Sequence, residues 1–447
     1  MTTPSVWGIA VYIKKVTLKN VCGFEDLTLD FNLPKDSGHW AVLLGDNGAG
    51  KTTVLRSIAM GLCGETSASA LLRELYTDWV RYQAVDKTAI IRIEFAAPDR
   101  QEPVWIETQI TESSSGDTEV HQDTFPQKDF PWKAIFVCAY GAKRGGDATE
   151  SVTVYSSVDS VYTLFKYDAP LQNPELILRR FGDEETAVQI MKTIDSILML
   201  PEGSTRLTRS GITGLGHWGE DVPFGGWGDG HRTTFTWVAD LYGWAVLYDE
   251  EMVKKGVSGI VLIDEIEQHL HPSWQRRIIG RLHEQFPHIQ FITTTNSSMC
   301  AAGTTDLTNE QCDLFLLRRD ANTVETVGPH KPPRGLRADQ ILTSYLFGME
   351  TTRDDEVVHN IERYSDLKSQ QSLTDEEQQE LERLHAHLVK TLGSGETELQ
   401  QLVEGAVRET IDKIAPQLLT SPKPAPEAID FEIRRQLREL FSEHRAS

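Results

Sequence analysis

What this chain of 447 residues has little of narrows it first. Its five cysteines, Cys22, Cys63, Cys138, Cys300 and Cys312, are scattered and odd in number. None forms a Cys-x-x-Cys pair, so neither a disulfide framework nor a thiolate zinc site is indicated, and the usage suits a reducing compartment. No stretch offers the roughly 18 consecutive apolar residues of a membrane span. The opening Met1-Thr2-Thr3-Pro4-Ser5 has neither a basic start nor an apolar signal core, and the reading is a soluble, cytoplasmic protein. Positive charge is also short, with 44 Lys and Arg against 66 Asp and Glu for a formal net charge of −22. Such a field repels nucleic acid on average, so binding it would need a local basic groove, for which Arg276-Arg277 and Lys143-Arg144 are candidates. The length exceeds one usual domain, which predicts a large α/β unit with one or two smaller pieces.

What is present is sharper. Gly45-Asp46-Asn47-Gly48-Ala49-Gly50-Lys51-Thr52 fits the Walker A pattern, with Thr53 directly behind it. The apolar run Trp40 to Leu44 reads as a buried strand leading in, and Val54 to Met60 as a helix leading out. Three glycines let the loop curl so that its N–H groups and the helix N-terminus face phosphate oxygens. Lys51 would reach the β- and γ-phosphates, and the Thr52 hydroxyl would ligate Mg²⁺. Gly259-Ile260-Val261-Leu262-Ile263-Asp264-Glu265 supplies the complement, a Walker B strand ending in two carboxylates. Asp264 would hold Mg²⁺ and Glu265 would act as general base toward the attacking water.

Along the rest of the chain, residues 12–20 and 27–31 alternate as a hairpin before the P-loop strand. Residues 70–83 read as helix, and residues 88–95 and 103–110 as an antiparallel pair. Residues 134–140 read as a buried strand emptying into a glycine-rich basic loop at Lys143-Arg144. That loop either faces phosphate or is merely solvated. Residues 174–200 carry apolar positions at helical spacing and read as one helical subdomain. The glycine-rich passage over residues 211–230 is too long for a simple turn and reads as a functional or mobile loop.

The opening strands, the Cys22-Gly23-Phe24 turn and GDNGAGKTT together resemble the RecF/SMC/OLD group of ABC-type ATPases. The stretch Ile266-Glu267-Gln268-His269-Leu270-His271-Pro272-Ser273-Trp274-Gln275, followed by Phe286-Pro287-His288-Ile289-Gln290-Phe291-Ile292-Thr293-Thr294-Thr295-Asn296-Ser297, is similar to the PtuA-like ATPases of Septu and retron anti-phage systems. This resemblance covers residues 10 to 345. It implies an α/β fold: a mixed-sheet ABC-type head over residues 1–345, with an antiparallel β arm and a helical insertion at about 165–225. It places Gly228, Asp229 and Gly230 in the signature region, which in such ATPases binds the γ-phosphate of a nucleotide held by the other subunit. It places His271 in the D-loop facing that subunit, and Asn296 at the switch position. Two positions depart from the family: Gly228 stands where a serine is usual, and Asn296 where a histidine is usual. The first removes a hydroxyl donor and the second a titratable contact, and losing one preorganised donor costs on the order of 10²–10³ in rate. ATP binding with slow hydrolysis is therefore the expectation. The resemblance further implies homo-oligomers through ATP-sandwich dimers, and a sensor or scaffold role beside a separate HNH nuclease. A RecF-like ATPase that clamps DNA directly is the alternative, and a transporter-type subunit is a third class, against which the poor signature counts.

Beyond residue 345 the pattern is helical. Thr374-Asp375-Glu376-Glu377 is a capping box opening a helix toward Leu392, and a second helix over residues 396–418 would pair with it. Residues 421–426 read as a stiff Pro-rich linker to an amphipathic helix within residues 429–441. The domain plan is thus 1–345, 346–418 and 419–447.

Overall fold

A computed structural model describes residues 11–392, apart from residues 36, 76–77, 97–101, 114–116, 128–131, 133–134, 145–151, 182–183, 217–219, 320–323 and 371–372. The expected helix over 396–418, the Pro-rich linker and the terminal amphipathic helix lie outside the described residues. In chain order the strands are β1 (Ile13–Val21), β2 (Phe24–Asp30), β3 (Trp40–Gly45), β4 (Thr88–Phe95), β5 (Val104–Glu112), β6 (Thr118–Phe125), β7 (Val137–Tyr140), β8 (Thr205–Thr208), β9 (Gly211–Leu215), β10 (Asp221–Pro223), β11 (Ser258–Ile263), β12 (His288–Thr294), β13 (Cys312–Arg319) and β14 (Val324–His330). The helices are α1 (Lys51–Cys63), α2 (Glu65–Glu74), α3 (Pro174–Arg180), α4 (Glu184–Ile197), α5 (Asp229–Tyr248), α6 (Glu250–Lys255), α7 (Pro272–Gln275), α8 (Ile278–Gln285), α9 (Ser298–Gly303), α10 (Ala338–Leu342), α11 (Asp355–Ser369) and α12 (Asp375–Leu392).

Three sheets result. The central one runs β14-β13-β3-β12-β11-β7, with β13, β3, β12, β11 and β7 parallel and β14 antiparallel at its edge. The second is the antiparallel arm β2-β1-β4-β5-β6, whose first pair is the predicted hairpin. A small meander β10-β9-β8 forms the third. The parallel strands read as unbroken apolar runs because both faces are covered. On β3, Ala41 and Leu43 join the core shared with α1 and the arm, while Trp40, Val42 and Leu44 join the opposite core under α4, α5 and α8. Trp40 stacks on Phe291 at 4.3 Å there. Helix α1 lies so close to the arm that a Cβ at Gly61 would meet the Ile93 side chain at 2.6 Å.

At the foot of the sheet, Asp313 of β13 is fully buried and holds three neighbours. Its carboxylate accepts from the backbone N–H of Asn32 (2.8 Å), pairs with His39 Nε2 (3.0 Å) and meets Lys331 Nζ at 3.1 Å. Burial alone would raise its pKa, but the hydrogen bonds from His39 and Asn32 outweigh it and lower it to about 2.

Several expectations are corrected. The helix read over 70–83 is α2 at Glu65–Glu74, after which Val80 bridges back to Val21. The helix read over 174–200 is two, α3 and α4. Asn173 caps α3, accepting from the N–H groups of Glu175 and Leu176. Among its described residues the glycine-rich passage is β9, β10, a 3-10 turn at Phe224–Gly226 and the start of α5. Gly214 is required there, since a Cβ would strike the Trp227 ring at 2.6 Å. The insertion read as helical therefore also contains a sheet.

The chain divides into two compact units, Met1–Met349 and Glu350–Ser447. In the second, the Thr374 capping box forms as expected, its N–H donating to Glu377 at 2.8 Å. Helix α12 packs against α11, joined by Arg363 and Glu380 at 2.8 Å. That partner helix was not anticipated. Among the described residues no helix is long and apolar enough to cross a membrane.

Candidate functional site

The site is built where β3, β11 and β12 end side by side. Gly50 caps α1 at φ 87°, and a Cβ there would also meet the Phe24 ring at 2.5 Å. Phe24, buried at the start of β2, thus floors the P-loop, which gives the Cys22-Gly23-Phe24 turn its purpose. Gly48, at φ 80°, has open space around it on the loop's outer side. Lys51 is almost wholly buried and folds its ammonium onto the loop, donating to the carbonyls of Gly45 (2.6 Å) and Asp46 (3.0 Å). Burial lowers its pKa, opposed by the nearby Asp264, Glu265 and Glu267 carboxylates. A buried ammonium surrounded by acids and held only by carbonyls is poised to exchange those carbonyls for phosphate oxygens.

The two Walker motifs meet directly. Thr52 Oγ1 donates to Asp264 Oδ2 at 2.8 Å, joining residues 212 positions apart. A hydroxyl and a carboxylate at this distance are the hard oxygen donors that suit Mg²⁺, so the residues present fit that ion. Asn296 also arrives here, its Nδ2 donating to Asn47 Oδ1 at 3.3 Å.

Sequence reasoning missed what holds these groups in place. Thr294, at the end of β12, donates to Asp264 Oδ1 (2.7 Å) and accepts the backbone N–H of Glu265 (2.7 Å). Glu267 accepts from Thr295 Oγ1 and from the Asn296 N–H, both at 2.7 Å. Glu265 itself sits at φ 46°, a left-handed conformation that is unusual for a glutamate, and Gln268 donates to its carboxylate. Arg144 is buried and its guanidinium donates to the carbonyls of Asp264 (3.0 Å) and Glu265. Desolvation lowers its pKa to about 10, which still leaves it charged near neutrality. Arg144 therefore neither faces solvent nor forms a basic groove, and Arg276 is paired with Asp306 at 3.0 Å. The only prior signal was the basic loop after a buried strand.

The residues expected to form the signature region lie at the start of α5. Gly228 and Asp229 are exposed at the start of α5, where Asp229 pairs with Arg232 at 3.0 Å. Gly230 packs on the D-loop turn, since a Cβ would meet the His269 carbonyl at 2.4 Å. The His231 and Trp274 rings meet at 4.3 Å beside it. His271 is exposed and caps α7, its Nδ1 accepting from the Ser273 N–H at 3.3 Å. The structure thus brings Thr52 to Asp264 and Asn47 to Asn296, and of the three residues at the start of α5 it brings Gly230 against the turn at His269.

A family described as "AAA domain" matches residues 15–168, and one described as "AAA domain, putative AbiEii toxin, Type IV TA system" matches residues 215–298. The chain is 26% identical to Septu protein PtuA of Bacillus mycoides (strain KBAB4), over 90% of this chain and 54% of that protein. It is 31% identical to the Retron Vc95 probable ATPase of Vibrio cholerae serotype O1 biovar El Tor, over 35% of this chain and 28% of that one. The chain thus spans about half the length of its Septu relative. Among solved structures, an SMC head domain from Thermotoga maritima aligns over 71% of this chain and 99% of its own, at 14% identity and a TM-score of 0.43.

Proposed function

We propose that this ABC-type P-loop ATPase binds ATP with Mg²⁺ between two copies of its head, hydrolyses it slowly, and serves as sensor and scaffold of an anti-phage defence complex that controls a separate nuclease. The observation that carries the reading is the Thr52–Asp264 contact beside the buried Lys51. It sets the phosphate cradle and the carboxylate pair around one point. The P-loop N–H groups and Lys51 bind the β- and γ-phosphates. Thr52 and Asp264 would hold Mg²⁺, whose charge offsets that of the phosphates. Glu265 takes a proton from water as the water oxygen bonds to the γ-phosphorus and the bridging P–O bond breaks, leaving ADP and phosphate. Asn296 contacts the γ-phosphate as a neutral amide, and so does not carry the proton that a histidine could. The exposed Gly228 and Asp229 at the start of α5 would offer N–H groups and a positive helix end to a nucleotide on the second head.

The similarity to Septu protein PtuA and to a retron ATPase supports the defence role. Direct clamping of DNA draws no support from Arg144 or Arg276, since one is buried and the other paired. The test is the solution mass of the purified chain with and without ATP and Mg²⁺, for wild type and Glu265→Gln. The expected result is a nucleotide-dependent larger particle, persisting in Glu265→Gln because bound ATP is no longer consumed, with hydrolysis reduced by about 10²-fold or more. A mass indifferent to nucleotide in both proteins removes the shared site. Rapid turnover by wild type removes the slow gate.

A further inference from the structure

Behind β7, away from the nucleotide residues just described, lies a cavity of about 170 Å³. A single water needs roughly 10–15 Å³ of such space, so this one admits a small organic molecule and is too small for a nucleotide. Its wall includes Asp240 of α5, which is 1% exposed. The Asp240 carboxylate accepts from Tyr140 Oη at 3.1 Å and from the Gln172 N–H at 2.9 Å. Burial raises its pKa to about 6, and the Gln172 side chain and the Trp244 indole are near enough to act on it as further, weaker donors, so the carboxylate is met by neutral groups only. Beside it the Gln172 side chain is 5% exposed, and its Oε1 carries no hydrogen-bond partner. Burying an amide carbonyl unpartnered is costly. Trp244 and Tyr162 supply rings to the same wall, and Asp159 adds a second, exposed carboxylate. Among the described residues that line the cavity there is no Lys, Arg or His.

We infer that this cavity is a binding site for a small organic cation with a planar, hydrogen-bond-donating head, of the amidinium or guanidinium class. Asp240 supplies the countercharge, Gln172 Oε1 accepts a further N–H, and the Trp244 ring suits a flat cation. The site does not depend on the nucleotide reading.

The test is calorimetric titration of the full chain with benzamidine, with benzyl alcohol as the neutral counterpart of similar size. Saturable benzamidine binding is expected, weakened on the order of tenfold or more in Asp240→Asn and likewise for benzyl alcohol on wild type. Should Asp240→Asn fail to fold, as judged by its melting curve, Val152→Trp decides, because it fills the cavity from a half-exposed position and should abolish binding. No saturable binding to wild type at millimolar benzamidine overturns the inference, as does unchanged affinity in a folded Asp240→Asn or Val152→Trp.

Discussion

The two regions that the proposed function assigns to the nucleotide site are finished to different degrees. The Walker half is closed within one chain, with Lys51 buried and Thr52 bonded to Asp264. The signature half is open: Gly228 and Asp229 are exposed, and what fixes them is packing of Gly230 on the D-loop turn. On the proposed reading, this difference suits a site shared by two heads, with tight binding supplied by one and closure by the other.

The largest break in that contrast is Lys51→Ala. It removes the buried ammonium, and titration with a fluorescent ATP analogue should show binding abolished, a loss of about 10²-fold or more. The foot of the same central sheet holds the buried Asp313 clamp, which offers a pH test. Its folded pKa, near 2, lies below the ordinary value of about 3.9, so its contribution is complete above pH 4 and is lost as pH falls toward 2. Acid melting should show about 2–3 kcal/mol of stability disappearing over that window in wild type and little of it in Asp313→Asn. On the signature side, Gly230→Ala forces a Cβ against the His269 carbonyl and should cost about 1–3 kcal/mol. Its melting midpoint should fall, and nucleotide-dependent association should weaken while binding of the ATP analogue by the monomer is kept. Asn296→His is the smallest change. It restores a titratable group beside Asn47 and should raise steady-state hydrolysis on the order of tenfold with nucleotide affinity little altered.

Much of the Walker half was legible because each residue type there has a local mechanical reason, and the strand–loop–helix context is contiguous in the chain. The arm hairpin was readable from two-residue alternation. What could not be read was whatever is closed by residues far apart. Nothing around Arg144 signals that its guanidinium turns inward onto the Asp264 and Glu265 carbonyls, and Thr294 looks like any β-branched strand residue. The glycines of 211–230 suggested a loop, yet Gly214 is small because the Trp227 ring lies against it. Helix α11 was missed because its apolar stripe is sparse, with Val357 and Leu367 its only fully buried residues among those described.

The turn carrying Glu265 and Glu267 is stitched to the turn carrying Thr294, Thr295 and Asn296 by five hydrogen bonds, including that from the Ile266 N–H to the Thr294 carbonyl at 3.1 Å. On the proposed reading, the residue that would activate water and the residue that would feel the γ-phosphate therefore stand on two segments tied directly to each other.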